Sequence, residues 1–229
     1  MKSAVIQFPG SNCERDAFTT LEREGMNPQM IWHGDSELPD GLDLIIVPGG
    51  FTYGDYLRCG AMAAHSPIMQ SVRTYADNGG HVLGICNGFQ ILCETRMLPG
   101  TLMRNDHLKF NCKPVNLRVE TTDSPYTADY QQGQVISIPI AHHEGNYYAD
   151  DDTIKRMQDN GQIAFRYCED NGDISPLSNP NGSRANIAGI FNERKNILGL
   201  MPHPERHADA ATGGTDGQAM FTSLLKRFH

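Results

Sequence analysis

Val82-Leu-Gly-Ile-Cys-Asn-Gly-Phe-Gln90 is an apolar run that ends in a cysteine framed by two glycines, Gly84 and Gly88. The spacing is that of a nucleophile elbow, Gly-x-Cys-x-Gly in place of Gly-x-Ser-x-Gly. A strand over His81 to Ile85 feeds a sharp turn, and the turn feeds a helix. Small residues flank the nucleophile because a side chain there would strike neighbouring backbone. The turn presents Cys86 at a helix N-terminus, where the dipole favours a thiolate. A buried cysteine packed between a strand and a helix would show the same residues, since free cysteine is a common core residue.

Working outward, strand and helix signals alternate through the first hundred residues. Ala4 to Phe8 is a short apolar strand, and Ser11-x-x-Glu14 has the form of a capping box opening a helix that ends near Gly25. Met30 to Trp32 is a second strand. Leu42 to Val47 is a stronger one, running into Pro48-Gly-Gly50. Ser66 and Pro67 have the form of a cap and first residue of a helix that Gly79-Gly80 closes. Apolar strands alternating with helices predict an α/β fold, a parallel sheet covered on both faces. Reactive groups in such sheets gather beyond the carboxyl ends of the strands, where Cys86 and Pro48-Gly-Gly-Phe51 fall.

The pattern changes after Pro99. Val115 to Glu120 and part of Val135 to Ala141 alternate with period two, as antiparallel or mixed strands do. Asp151 to Asn160 reads as a short helix behind the acidic Asp150-Asp-Asp152. Ile187 to Phe191 and Ile197 to Met201 read as a hairpin, and a last helix spans about Gly217 to Phe228. No repeat, low-complexity tract or linker interrupts the chain. One domain over residues 1–229 is expected.

Composition narrows the function classes. The 229 residues carry a formal net charge of −8 and no basic cluster, which argues against nucleic acid or membrane as the main partner. No apolar run approaches the ~20 residues of a membrane span, and Met1 to Phe8 reads as a strand and not as a signal peptide. Cysteines stand at 13, 59, 86, 93, 112 and 168 with no Cys-x-x-Cys pair. That usage suits a reducing, cytoplasmic compartment better than a disulfide framework or a zinc site, and no metal site is expected. Gly213-Gly214 lacks the Lys-Ser/Thr of a phosphate-binding loop.

A thiol nucleophile needs a base. Among nine histidines, His203 in Met201-Pro-His-Pro-Glu205 has unusual surroundings. It follows an apolar strand, and the two prolines disfavour helix before them. An extended segment would put His203 and Glu205 on one side, so the carboxylate could orient the imidazole. A loop histidine beside a solvated glutamate is the plainer alternative. Nothing in the sequence brings Cys86 and His203 together across 117 positions.

Taken together, Gly84-Ile-Cys-Asn-Gly-Phe-Gln90, Pro48-Gly-Gly50 and the later His203-Pro-Glu205 resemble the class I glutamine amidotransferases. Gly49-Gly-Phe-Thr-Tyr-Gly-Asp-Tyr-Leu-Arg58, Asn105 with Phe110, and His143-Glu-Gly145 resemble one branch, the glutaminase subunits of phosphoribosylformylglycinamidine synthases of purine biosynthesis. His142 departs from that branch, which often has a smaller residue there. The resemblance covers nearly the whole chain and implies a flavodoxin-like sheet. It implies a Cys86–His203–Glu205 triad and glutamine as substrate. It places oxyanion donors at Gly50 or Phe51 and at Asn87, and glutamine contacts at Gln90 and His143. It further implies ammonia delivery to a large synthetase subunit that uses ATP and Mg, a small bridging subunit, and no cofactor on this chain. A sibling amidotransferase serving another synthase, or a non-enzymatic or peptidase-like relative with the same elbow, are the competing readings. The stretch Phe51 to Arg58 is expected to dock or gate. Arg104, Asn105 and His107 read equally as a surface turn.

Overall fold

The computed structural model describes residues 1–228. In chain order the elements are β1 (Ser3–Gln7), α1 (Glu14–Arg23), β2 (Pro28–Trp32), β3 (Leu44–Val47), α2 (Pro67–Asp77), β4 (His81–Ile85) and α3 (Asn87–Glu94). They continue with β5 (Thr101–Met103), β6 (Asn111–Val119), β7 (Val135–His142), β8 (Asn146–Tyr148), α4 (Asp151–Asp159), β9 (Ile163–Tyr167), β10 (Ile187–Phe191), β11 (Ile197–Leu200) and α5 (Gln218–Arg227). The main sheet has the order β2-β1-β3-β4-β11-β10-β9-β6-β7. It is parallel from β2 through β11 and antiparallel from β11 to β7. The 2-1-3-4 run is the flavodoxin-like order, in which strand direction of travel reverses beside β1 and opens a crevice at the carboxyl ends. The expected α/β sheet with an added antiparallel region is therefore present.

Burial explains the elements. Leu44 to Val47 and Val82 to Ile85 are buried on both faces, as parallel strands between helix layers must be. β9, Ile-Ala-Phe-Arg-Tyr, is buried throughout but has no clear signal in the sequence, because Arg166 breaks its apolar run. Its Arg166 is tolerated inside because Nε lies 3.4 Å from the Glu120 carboxylate. The capping box at Ser11 does not form. Cys13 precedes α1 without a side-chain cap, while Ser11 accepts the Phe8 N–H and bridges to Gly50. Asp150 does cap α4, accepting the Thr153 N–H at 2.7 Å.

Only the inner ends of β6 and β9 pair, from Leu117↔Tyr167 to Val119↔Phe165, whereas β6 and β7 pair over Asn111↔His142 to Arg118↔Val135. Half of that ribbon therefore extends past the sheet, and its end reaches the carboxyl ends of β4 and β11. The short β5–β8 ladder brings residues near 105 against residues near 145. No helix among the described residues is long and apolar enough to cross a membrane.

Candidate active site

Three strand ends meet where β1, β3 and β4 stop. Cys86 follows β4 with φ 51° and ψ −106°, a conformation that a non-glycine residue adopts only under constraint. The constraint is packing. The first turn of α3 lies so close to the end of β3 that any Cβ on Gly88 would overlap the Val47 carbonyl oxygen. The Cys86 N–H is fixed by the Leu200 carbonyl at 2.8 Å, and its sulfur lies 3.7 Å from the Ala141 carbonyl oxygen of β7. Cys86 is only 5% exposed.

β11 runs parallel to β4, so His203 emerges beside Cys86. This is how the fold closes a gap of 117 positions. The His203 N–H donates to the Pro139 carbonyl at 2.8 Å, so β7 touches both residues. The segment is not extended past His203. Pro204–Arg206 forms one 3-10 turn, and that turn swings Glu205 back so that its Oε1 lies 2.6 Å from His203 Nδ1. Both side chains are out of solvent, and the Thr20 hydroxyl donates to the Glu205 carbonyl at 3.0 Å. Burial works to lower the His203 pKa. The Glu205 carboxylate, and after it the charge of Cys86, outweigh burial and hold it up at about 10. His203 Nε2 has no hydrogen-bond partner.

Cys13 lies beside this pair, its sulfur and the acid–base atoms of His203 and Glu205 all within 4.8 Å of one another. Arg206 donates to the sulfur at 3.1 Å and to Asp16 at 2.9 Å. Burial, only partly offset by Arg206, pushes the Cys13 thiol up to about 12. The trio suits an acid–base set better than a cation cage. His203 Nδ1 is already engaged by Glu205, and a guanidinium adds positive charge at the sulfur. No sequence motif marks Cys13; only the packing of α1 under the His203 turn reveals it.

The structure sorts the proposed oxyanion donors. The Phe51 N–H donates to the Gly10 carbonyl at 3.1 Å, so in this conformation it is not free. Gly50 has φ 143°, and a Cβ there would come within 2.8 Å of the Asn12 nitrogen. Asn87 opens α3, where its own N–H has no intrahelical acceptor. Its side chain accepts the Thr52 N–H at 3.1 Å and donates to Gln90 Oε1 at 2.7 Å. Gln90 in turn donates to the Glu144 carbonyl at 2.6 Å. Asn87 and Gln90 are both buried and tie together the loop after β3, the elbow helix and the loop after β7. His143 turns its ring away, Nε2 donating to the Leu108 carbonyl at 3.1 Å. What this segment turns inward is main chain and the buried ring of His142.

One further reading changes. Asn105 is not on a surface turn; it is fully buried, while Arg104 stays outside, 3.6 Å from Glu144. Arg58 is ion-paired within the chain, its Nε donating to Glu94 at 2.8 Å and its second nitrogen pairing with the same carboxylate. Tyr53, Gly54 and Asp55 all have positive φ, so the loop after β3 is held in a costly backbone path. Phe51 and Phe110, with ring centroids 6.4 Å apart, stand exposed at the mouth together with Tyr56 and Leu57.

The chain matches the CobB/CobQ-like glutamine amidotransferase domain over residues 1–219. It is similar to the phosphoribosylformylglycinamidine synthase subunit PurQ of Rhodopseudomonas palustris, 55% identical over 227 residues, 99% of this chain and 97% of the relative. It is equally similar to the subunit of that name from Rhodospirillum rubrum, 55% identical over 99% of both chains. Among solved structures it resembles a chain of PurLQS from Thermotoga maritima, with a TM-score of 0.88 and 42% identity over 100% of this chain and 99% of that one. The chain therefore belongs to the CobB/CobQ-like glutamine amidotransferase family and, within it, to the PurQ-type subunits.

Proposed function

We propose that this chain is the glutaminase subunit of phosphoribosylformylglycinamidine synthase, and that Cys86, His203 and Glu205 carry its chemistry. The observation that carries the reading is the convergence of a strained elbow cysteine and a carboxylate-paired histidine at adjacent parallel strand ends. The Cys86 thiolate attacks the side-chain amide carbon of glutamine, and the carbonyl electrons move onto oxygen. The Asn87 N–H, without an intrahelical acceptor at the start of α3, and the Gly50 N–H are the donors assigned to the developing oxyanion; one such donor is worth ~2.7–4 kcal/mol of barrier. The His203 imidazolium gives its proton to the departing nitrogen, the C–N bond breaks, and ammonia leaves a γ-glutamyl thioester. Neutral His203 then takes a proton from water as the hydroxide adds to the thioester carbon. Loss of the thiolate releases glutamate and restores the pair. Glu205 stays ionised and keeps the imidazole oriented.

Ammonia made here serves an ATP-dependent synthetase subunit, which converts formylglycinamide ribonucleotide to the amidine and binds the ATP and Mg. The likeness to a chain of PurLQS supports a large partner and a small bridging subunit. The exposed Phe51, Tyr56, Leu57 and Phe110 around the site mouth supply an apolar docking face for the large one. Cys86→Ala in the assembled complex is the test. Glutamine-dependent synthesis should disappear while synthesis from ammonium salt continues. A Cys86→Ala protein that still uses glutamine at the normal rate rules the reading out.

A further inference from the structure

We propose that His142 is a positioning residue for glutamine, which with Asn105 and Asn181 holds the segment Ala141 to Gly145 against the nucleophile. The inference rests on the glutaminase reading of the site. The segment makes two contacts that matter to that site. The Ala141 carbonyl lies 3.7 Å from the Cys86 sulfur, and the Glu144 carbonyl accepts from Gln90 at 2.6 Å. A shift of the segment would move the cysteine's surroundings and the Gln90 amide together. Cys86 itself stays held by the elbow and by the Leu200 carbonyl, so the loss falls on the seating of glutamine and not on the nucleophile.

Three buried polar side chains prevent that shift. His142, Asn105 and Asn181 are 2%, 0% and 0% exposed. Asn105 Oδ1 lies 3.1 Å from His142 Nδ1 and accepts the Gly145 N–H at 3.0 Å. The Asn105 amide nitrogen donates to the His142 carbonyl at 3.1 Å and to the Lys109 carbonyl at 2.8 Å. Its main-chain N–H donates to the His143 carbonyl at 2.9 Å. On the other side, the Asn181 amide donates to the Gly145 carbonyl at 2.8 Å and lies 3.5 Å from His142 Nε2. The loop therefore has its backbone groups gripped from two directions, and the imidazole is the wedge between the two asparagines.

These partners fix the state of the ring. An acceptor at Nδ1 and an amide donor at Nε2 select the neutral tautomer protonated on Nδ1. Burial first, and the nearby His203 charge second, push its pKa down to about 3, so it carries no charge that would compete with His203. The ring also fills the space beside Gly145, where any Cβ would overlap it. A smaller residue would leave a cavity and an Asn105 oxygen with one partner fewer; a cationic one would repel the catalytic imidazolium.

The test uses the assembled complex and reads glutamine KM, kcat and the rate at which iodoacetamide captures Cys86. In His142→Ala, KM should rise about tenfold while kcat falls by less than about threefold and alkylation stays within about twofold, the pattern of lost ground-state positioning. His142→Gln, which keeps a donor toward Asn105, should recover most of the KM; should the alanine variant not fold, the glutamine variant alone should show a KM increase of about threefold. Wild-type KM in the variants, or a fall in kcat with KM unchanged, overturns the proposal. A wild-type complex that does not hydrolyse glutamine removes the glutaminase reading itself, and the positioning role with it.

Discussion

His203 Nδ1 and Glu205 Oε1 lie 2.6 Å apart with both side chains sealed from water. The carboxylate holds the His203 proton on against the pull of burial, which alone would remove it. In the unfolded chain that imidazole titrates near ~6.5. Its folded value of about 10 means that the pairing contributes its full stability below pH 6.5 and loses it as pH rises toward 10.

Glu205→Gln keeps the shape and removes the charge. The basic limb of the glutaminase pH profile should move down by about one pH unit or more, because burial then acts on His203 with less opposition. The rate should fall less than in His203→Ala, where no group remains to move the proton. A pH profile of the assembled complex checks both. A basic limb that stays in place would detach Glu205 from the imidazole.

The Phe51 N–H is bound to the Gly10 carbonyl at 3.1 Å, in a loop that carries three successive positive φ angles. That path disposes the loop to a second conformation in which the amide turns toward the oxyanion, a step that partner docking can drive. The isolated chain should hydrolyse glutamine at least about tenfold more slowly than the complex. Steady-state rates with and without the synthetase partner measure this, and equal rates would remove the gate.

Gly88→Ala places a methyl group against the Val47 carbonyl. Neither neighbour can yield, since one is sheet backbone and the other the start of α3. A loss of about 3 kcal/mol or more is expected, at the upper end of overpacking costs. The urea midpoint reads it, with Ala64→Gly as a control outside the elbow.

His142 titrates in the opposite sense to His203. Its folded value of about 3 lies below the unfolded one, so between these values the unfolded chain binds the proton and the folded chain does not. Stability from this site is intact above pH 6.5 and falls by up to about 1.4 kcal/mol per pH unit as the solution is acidified toward pH 3. The difference in urea midpoint between wild type and His142→Gln, measured from pH 7.5 to 5, should shrink on acidification. A constant difference would mean that the ring is not held neutral by its surroundings.

The sequence by itself determined the local pieces. Gly84, Cys86 and Gly88 spell the elbow because only residues without side chains fit where a helix starts against a strand end. The apolar runs at Leu44 to Val47 and Val82 to Ile85 spell parallel strands because both of their faces are covered. Pro202 and Pro204 marked His203 as conformationally restricted. Tertiary structure decided what meets. The parallel pairing of β4 with β11 brings His203 to Cys86, a long-range register with no local signal. The 3-10 turn after His203, and not an extended chain, delivers Glu205. The roles of Cys13 and Asn105 were not legible because they come from packing: α1 under the His203 turn in one case, the β5–β8 ladder in the other. β9 escaped notice because Arg166 breaks its apolar run, a buried charge made tolerable by Glu120. His142 shows the same division most clearly. Its place in the chain is next to a strand end, but its neutral, wedged state is set by two asparagines, 37 residues before it and 39 after.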